Sequence, residues 1–344
     1  MAMPPRRSAG HDESDLHDAS AETAIVGAGM AGLALARALA GNGRRVVVFD
    51  KGRGVGGRMS TRRDGPHAFD HGAQYFTARG PRFLEQVQGW CDAGVAAEWR
   101  ARFVALDGGR IGADPRPGPR FVGVPGMNEV LRELGRGLDV RFDLRVSALV
   151  RHEARWRLRS AEGDELGAFA RVVVAVPAPQ ALPLLAQAPA LVRRVAAAEF
   201  APCIAMLLAF ERPLEVPFDA AFVAHPPLRW LARDSSKPGR APGERWVVHA
   251  GPEFSTEHLE DDPRALLPEL FEAFGAAIGL ELPPPLSIDA HRWRHALPTR
   301  VLSDGPAWDA GLGLGYCGDW CRDARVEAAH ESGLELARLI DASG

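Results

Sequence analysis

A chain of 344 residues, 46% apolar and 25% charged, is long enough for two connected cores and has the make-up of an ordinary globular protein. Its net charge of −3 excludes the broad basic field that binds nucleic acid, and no uncharged run reaches the ~20 residues of a bilayer span. Four cysteines without paired metal spacing exclude a disulfide framework, leave no metal site to expect, and fit a reducing, cytoplasmic setting.

Residues 1–21 hold turn formers and acids without an apolar period and read as a disordered tail. Arg6-Arg7 ahead of an apolar run invites an export-leader reading, but the acids from Asp12 to Asp18 interrupt it. The apolar run has another use. It opens as a strand, Ala24 to Val26, continues as Gly27-x-Gly29-x-x-Gly32, and becomes a helix with Leu33, Ala36, Leu39 and Ala40 on one side. Gly41 and Gly43 end that helix, and Arg45 to Phe49 form a second buried strand closed by Asp50.

Strand, glycines, helix, strand and acid at these distances make a dinucleotide-binding unit. Gly27 permits the tight turn, Gly29 lets backbone touch a pyrophosphate, and Gly32 lets helix and strand pack closely. Ala28, Met30 and Ala31 lie between these glycines, where the helix start offers free N–H groups and a partial positive charge. Asp50 accepts from the hydroxyls of an adenosine ribose and repels a 2′-phosphate.

The next stretch, "KGRGVGGR", has more glycine than a turn needs. Gly52, Gly54, Gly56 and Gly57 let a second loop fold back over the diphosphate, while Lys51, Arg53 and Arg58 supply positive charge around it. The pattern Arg53-x-x-Gly56-Gly57-Arg58 after the ribose acid resembles the flavoprotein amine oxidase superfamily, which implies noncovalent FAD. At the other end of the chain, Gly313 to Cys317 reads as a buried strand, Gly318-Asp319 as a corner, and residues from about Ala324 to Ile340 as a helix. In that superfamily such an acid holds a ribityl hydroxyl. The helix start, near Arg325 and Val326, stabilises negative charge on reduced flavin.

The resemblance implies an α/β fold: a GxGxxG FAD-binding Rossmann-like domain with a discontinuous, strand-rich substrate domain, the topology of amine oxidases and p-hydroxybenzoate hydroxylase. The FAD domain is expected over 22–80, 121–190 and 296–344, with a backbone contact to the adenine end near Val146. The substrate domain is expected over 81–120 and 191–295. Within the latter, strands are read at "CIAMLLAF", "FVAH", "RWLARD" and "RWVVHA". An amphipathic helix from about Pro263 to Ile278 turns Leu266, Leu270, Phe271, Phe274 and Ile278 inward. A second dinucleotide fingerprint is missing from the sequence, so no separate NAD(P) domain is expected.

"FDHGAQYFTAR", with "DKGRGVGGRMSTRR", "VGVPGMNEVLREL", "RWLARDSSKPGR" and "YCGDWC…RVEAAHESG", narrows the resemblance to bacterial renalases. That implies oxidation of the 2-dihydro and 6-dihydro isomers of NAD(P)H to NAD(P)+, with O2 reduced to hydrogen peroxide. Gln74 and Tyr75 would border the flavin, and Tyr75, Phe76, Thr77, Ala78 and Arg79 the substrate. Loss of hydride makes a dihydropyridine aromatic, so no general base is needed; aromatic side chains that position the ring suffice. Trp293 and Trp320 are open to two readings, pocket wall or plain core.

His291, Trp293 and His295 share one face of a presumed strand and read as a half-buried domain junction in preference to a metal or acid–base cluster. Lys237 of "DSSKPGR" matches the lysine that holds a water against flavin N5 in many amine oxidases, but a solvated Pro-Gly loop is the simpler reading. Arg116 and Arg120 are expected near substrate phosphates. His295 and Asp234 depart from the tyrosine and asparagine common in bacterial renalases. Two competing functions remain: an amine oxidase, and a flavin-binding redox sensor without turnover.

Overall fold

The computed structural model describes residues 22–343; the expected tail at 1–21 lies outside them. Thr23–Val26 and Val46–Phe49 are mostly buried runs dominated by β-branched and aromatic residues, and they pair in parallel around the helix Met30–Gly41. They sit in a six-stranded sheet whose order, edge to edge, is Ala307–Asp309, Leu314–Tyr316, Arg171–Val174, Thr23–Val26, Val46–Phe49 and Asp139–Arg141. All pairings are parallel except that of Ala307–Asp309. The chain leaves Thr23–Val26 for one side and later returns Arg171–Val174 to its other side, so Val26 ends at the point where strand order reverses. Doubly wound sheets bind their ligands there.

The helix Met30–Gly41 is buried on several faces because the C-terminal helix Val326–Ala342 crosses over it. Gly333 makes that crossing possible, since a Cβ there would run into the Ala31 carbonyl. A three-stranded antiparallel sheet, Val146–His152, Arg155–Ser160 and Glu165–Phe169, extends this layer.

The second layer is a seven-stranded sheet in the order Ser287–Arg300, Glu199–Phe210, Glu244–Ala250, Leu228–Arg233, Ala220–Val223, Phe103–Asp107 and Arg110–Gly112. Leu267–Ile278 covers it as expected, burying Leu270 and Phe274 fully while Phe271 and Ile278 stay half-buried. The expected assignment of 81–120 to this layer needs correction. Pro81–Asp92 turns Phe83, Val87 and Trp90 into the first core, where Phe83 and Trp90 meet Phe76 and His330. Only Phe103–Asp107 and Arg110–Gly112 of that stretch join the seven-stranded sheet. All four cysteines are free, and no helix among the described residues is long and apolar enough to cross a membrane.

Candidate functional site

The turn after Val26 is built as the glycines require. Gly27 has φ +115° and no room for a side chain, because a Cβ would stand 2.7 Å from the Ala175 carbonyl oxygen. At Gly32 a Cβ would collide with the Gly27 carbonyl. Gly29 is different: a Cβ there would meet nothing within 4 Å. Its freedom from side chain is not demanded by the protein, which is what an approaching ligand would ask of it. The helix that follows has no side-chain cap and no acid in its first turn, so its N–H groups stay available for an anion. Met30 and Ala31 are buried.

Asp50 ends the second strand. Its Oδ2 accepts from Ala28 N at 2.6 Å and its Oδ1 from Gly52 N at 2.7 Å, so one carboxylate ties the first turn to the second loop. The loop brings Gly57 beside Gly29, with a Cβ on Gly57 only 3.7 Å from the Gly29 Cα. Lys51 and Arg53 lie exposed on its outer side. Turn, uncapped helix, acid and glycine loop together fit a dinucleotide's ribose and pyrophosphate.

Arg58 carries the argument across the chain. It forks onto Asp319 through NH1–Oδ2 at 2.8 Å and NH2–Oδ1 at 2.6 Å, and NH1 also donates to the Ala296 carbonyl at 3.2 Å. Residues assigned to the phosphate end and the ribityl end from sequence therefore meet directly. Gly318 N donates to Ser332 Oγ at 3.0 Å, which fixes the corner on the C-terminal helix. That helix starts at Val326 with Arg325 as its N-cap residue; the Arg325 side chain pairs with Asp323 at 2.6 Å. Val146 is buried at the start of its strand, beside Ser160.

The 69–80 segment lies between the two layers. Gln74 is buried, with its Oε1 accepting from Lys237 Nζ at 3.2 Å and its Nε2 donating to the carbonyls of Asp70 and Gly72. Tyr75 is half-buried; its ring meets Trp230 at 5.5 Å and Phe103 at 6.2 Å, and the Arg120 guanidinium sits 5.1 Å from its centroid. Thr77 and Ala78 are half-buried and Arg79 is exposed. Phe76 is a correction: it packs against Phe83, Trp90 and Phe121 in the core, because alternation along an extended segment turns it away from Tyr75. Trp320 is a second correction, fully buried and stacked on Tyr316 with its Nε1 donating to the Val176 carbonyl at 3.1 Å.

Lys237 is a third. The loop does not solvate it; its side chain is fully buried, 2.6 Å from Asp234 and 3.3 Å from Asp70. Asp70 also accepts from Thr61 Oγ1, Met127 N and Arg240. Burial alone would raise the Asp70 carboxyl, but Lys237, Arg240 and the Met127 N–H outweigh it and bring it down to about 2. Burial, with Asp70 adding to it, keeps Asp234 above the usual carboxylate range even though Lys237 opposes both.

Trp293 belongs to a neighbouring cluster in which its Nε1 donates to the His71 carbonyl at 3.0 Å and its ring, with His291, packs on the His71 ring. His249 Nε2 meets the same carbonyl at 3.1 Å. Burial depresses all three histidines, His71 to about 3, His249 to about 4 and His291 to about 4, with Arg62 adding to the effect on His71 and His291. His295 stands apart from them, against Phe200 at 6.0 Å, and burial lowers its pKa too. Among the described residues no group of side chains has the make-up of a metal site.

Sequence reasoning missed Glu327. Its carboxylate, 7% exposed, accepts from Gly80 N at 2.7 Å and Arg79 N at 3.2 Å, pinning the end of the 69–80 segment to the C-terminal helix. An acid one residue into a helix gives no hint of a partner 247 residues earlier. Glu327→Ala is expected to lower unfolding free energy by about 1 kcal/mol, read from urea midpoints, because two partly buried N–H groups lose their acceptor.

Two family profiles match the chain: NAD(P)-binding Rossmann-like domain over residues 25–90, and flavin containing amine oxidoreductase over residues 107–341. Among solved structures it is similar to a proposed protoporphyrinogen oxidase from Exiguobacterium sp. 255-15, with TM-score 0.76, 13% identity, and 94% of this chain and 99% of that one covered. It is also similar to putrescine oxidase bound to putrescine, with TM-score 0.70, 14% identity, and 94% and 99% covered. At these identities the structural likeness establishes the fold alone.

Proposed function

This chain belongs to the flavin-containing amine oxidoreductase family, with FAD as its cofactor, and from that premise we propose that it is an oxidase of dihydronicotinamide dinucleotides. Its substrates on this reading are the 2-dihydro and 6-dihydro isomers of NAD(P)H, its products NAD(P)+ and hydrogen peroxide. One observation carries the choice over an amine substrate. The aromatic faces beside Gln74 and Tyr75 are already covered by guanidinium groups: Arg120 lies 5.1 Å from the Tyr75 centroid and 3.8 Å from that of Phe103, and Arg116 lies 5.1 Å from Phe222. An amine substrate arrives as an ammonium ion and needs such faces free. A dinucleotide arrives with phosphates, which guanidinium groups attract.

Asp114 holds Arg120 bidentately at 2.8 and 2.9 Å, so that guanidinium stays where it is. Arg116 is exposed and makes no ion pair among the described residues, which leaves it for a phosphate. Tyr75, Phe103 and Trp230 pack on one another with ring centroids 5.5, 6.2 and 6.4 Å apart and keep this side of the site dry. Gly27 to Gly32, Asp50, Gly57 and the Arg58–Asp319 pair hold the cofactor. When bound, FAD would supply the hydride acceptor and pass two electrons and the hydride's proton, with a second proton from water, to O2 to give hydrogen peroxide. Hydride loss from a dihydropyridine frees no proton. The three depressed histidines, uncharged near neutral pH, fit a site without an acid–base group.

Anaerobic mixing of the FAD-loaded enzyme with 6-dihydroNAD or 2-dihydroNAD is expected to bleach the visible flavin band promptly, with putrescine and other primary amines inert. Bleaching by amines alone makes the protein an amine oxidase. No bleaching by either class, in protein that retains FAD, makes it a flavin-binding sensor. Arg116→Ala is expected to raise KM for the dinucleotide by about tenfold and to leave kcat nearly unchanged, since a phosphate contact binds ground and transition states alike.

A further inference from the structure

Lys237 follows the strand Leu228–Arg233 and the short turn Asp234–Ser236, so it belongs to the seven-stranded layer. Its ammonium reaches the 69–80 segment that lies between the layers. An ammonium has three donors, and here they face Asp234 Oδ1 at 2.6 Å, Gln74 Oε1 at 3.2 Å and Asp70 Oδ2 at 3.3 Å. The Trp99 ring closes another side at 5.5 Å, and the side chain has no exposure. No donor is left for water or a ligand.

We propose that Lys237 is a positioning residue that fixes the Gln74 amide, and through it the turn 70–75, and that it does not itself meet flavin, water or substrate. The sense of the Gln74 amide follows from its neighbours. Its oxygen faces the ammonium and its NH2 faces the Asp70 and Gly72 carbonyls; turned over, the NH2 would oppose a cation. With the amide locked, the backbone from Asp70 to Gln74 is held at both ends, and Tyr75 leaves it toward Phe103 and Trp230. Arg240 completes the charge balance, donating to Asp70 and, at 2.8 Å, to the Gly123 carbonyl. Two acids and two cations thus join the layers without a net buried charge.

The proposal rests on the reading that 70–79 borders the flavin, and its test does not depend on the substrate. Lys237→Met alone leaves an uncompensated buried carboxylate and is at risk of misfolding. The double variant Asp234→Asn/Lys237→Met removes one charge of each sign and leaves Asp70 with Arg240. Both are loaded with FAD, reduced anaerobically with dithionite and mixed with O2. Hydrogen exchange of the 69–79 peptide is measured in parallel. Flavin reoxidation in the double variant is expected within about twofold of the parent, while amides of 70–76 exchange about tenfold faster or more. Slowed reoxidation overturns the proposal whatever exchange does, because a role confined to holding the turn leaves the reaction of reduced flavin with O2 unchanged. Unchanged exchange overturns it as well, because the turn then does not depend on Lys237. Failure of dihydronicotinamides to reduce the parent enzyme would sink the substrate reading and leave both readouts standing.

Discussion

Gly29→Ala is expected to fold like the parent protein and to lose FAD, whereas Gly32→Ala, three residues on, is expected not to fold. Both positions belong to one fingerprint, yet the structure separates what each is for. A methyl on Gly32 collides with the Gly27 carbonyl and stands 3.2 Å from the Ala175 Cβ, so helix and strand must move apart in the most buried part of the first core. A methyl on Gly29 meets no protein atom within 4 Å. It projects into the space before the uncapped helix, where a diphosphate has to approach the backbone. Its cost falls on the cofactor, on the order of 100-fold in FAD affinity, or about 3 kcal/mol. Circular dichroism melts give the first half of the comparison and titration of apoprotein with FAD the second. A Gly29→Ala protein that purifies fully yellow with undiminished affinity would place the diphosphate elsewhere.

The contrast marks what sequence could and could not disclose. The Gly27–Gly32 turn, both strands beside it and Asp50 were readable because strand, turn, helix, strand and acid follow one another within about 30 residues and are carried by residues with one conformational use. The closing pair was half readable: Arg58 and Asp319 were each placed at the cofactor, but nothing in either stretch said they bind one another across 261 positions. Lys237 misled for a physical reason. A Lys-Pro-Gly turn is ordinarily solvated, and only Asp70, 167 residues earlier, together with Asp234 and Gln74, makes burial tolerable. Trp320 and Phe76 were aromatic residues inside functional stretches, and neither stretch states which face meets the core. Pro81–Asp92 joined the other layer because Phe83 and Trp90 find Phe76 and His330, a match visible only in three dimensions.

The histidine cluster was also hidden, since His71, His249 and His291 come from three separate segments, and it sets the second large expectation: the enzyme unfolds on mild acidification. Each histidine stays neutral in the folded protein down to about 4, or about 3 for His71, while in the unfolded chain it takes up a proton near 6.5. The unfolded state then binds more protons throughout that interval, so stability is unaffected above neutrality and falls as pH drops below 6.5. One such group costs about 1.4 kcal/mol per pH unit, and three together up to about 4. Asp70 acts later and in a lower window. With its carboxyl near 2 in the fold against 3.8 outside it, its contribution is full above about 4 and disappears only as pH falls toward 2. The histidines therefore decide the acid limit. Against a total stability of about 5–15 kcal/mol they bring unfolding within reach at about pH 5, before carboxylates in the usual range titrate. Urea midpoints measured from pH 8 to 5 are expected to hold steady and then drop steeply below 6.5. His249→Gln, which keeps an N–H toward the His71 carbonyl 3.1 Å away, should reduce that slope by about a third. Midpoints that stay level down to pH 5 would mean that these rings are protonated, or accessible, in the folded enzyme. Neutral histidines could then no longer be counted in favour of a site without an acid–base group.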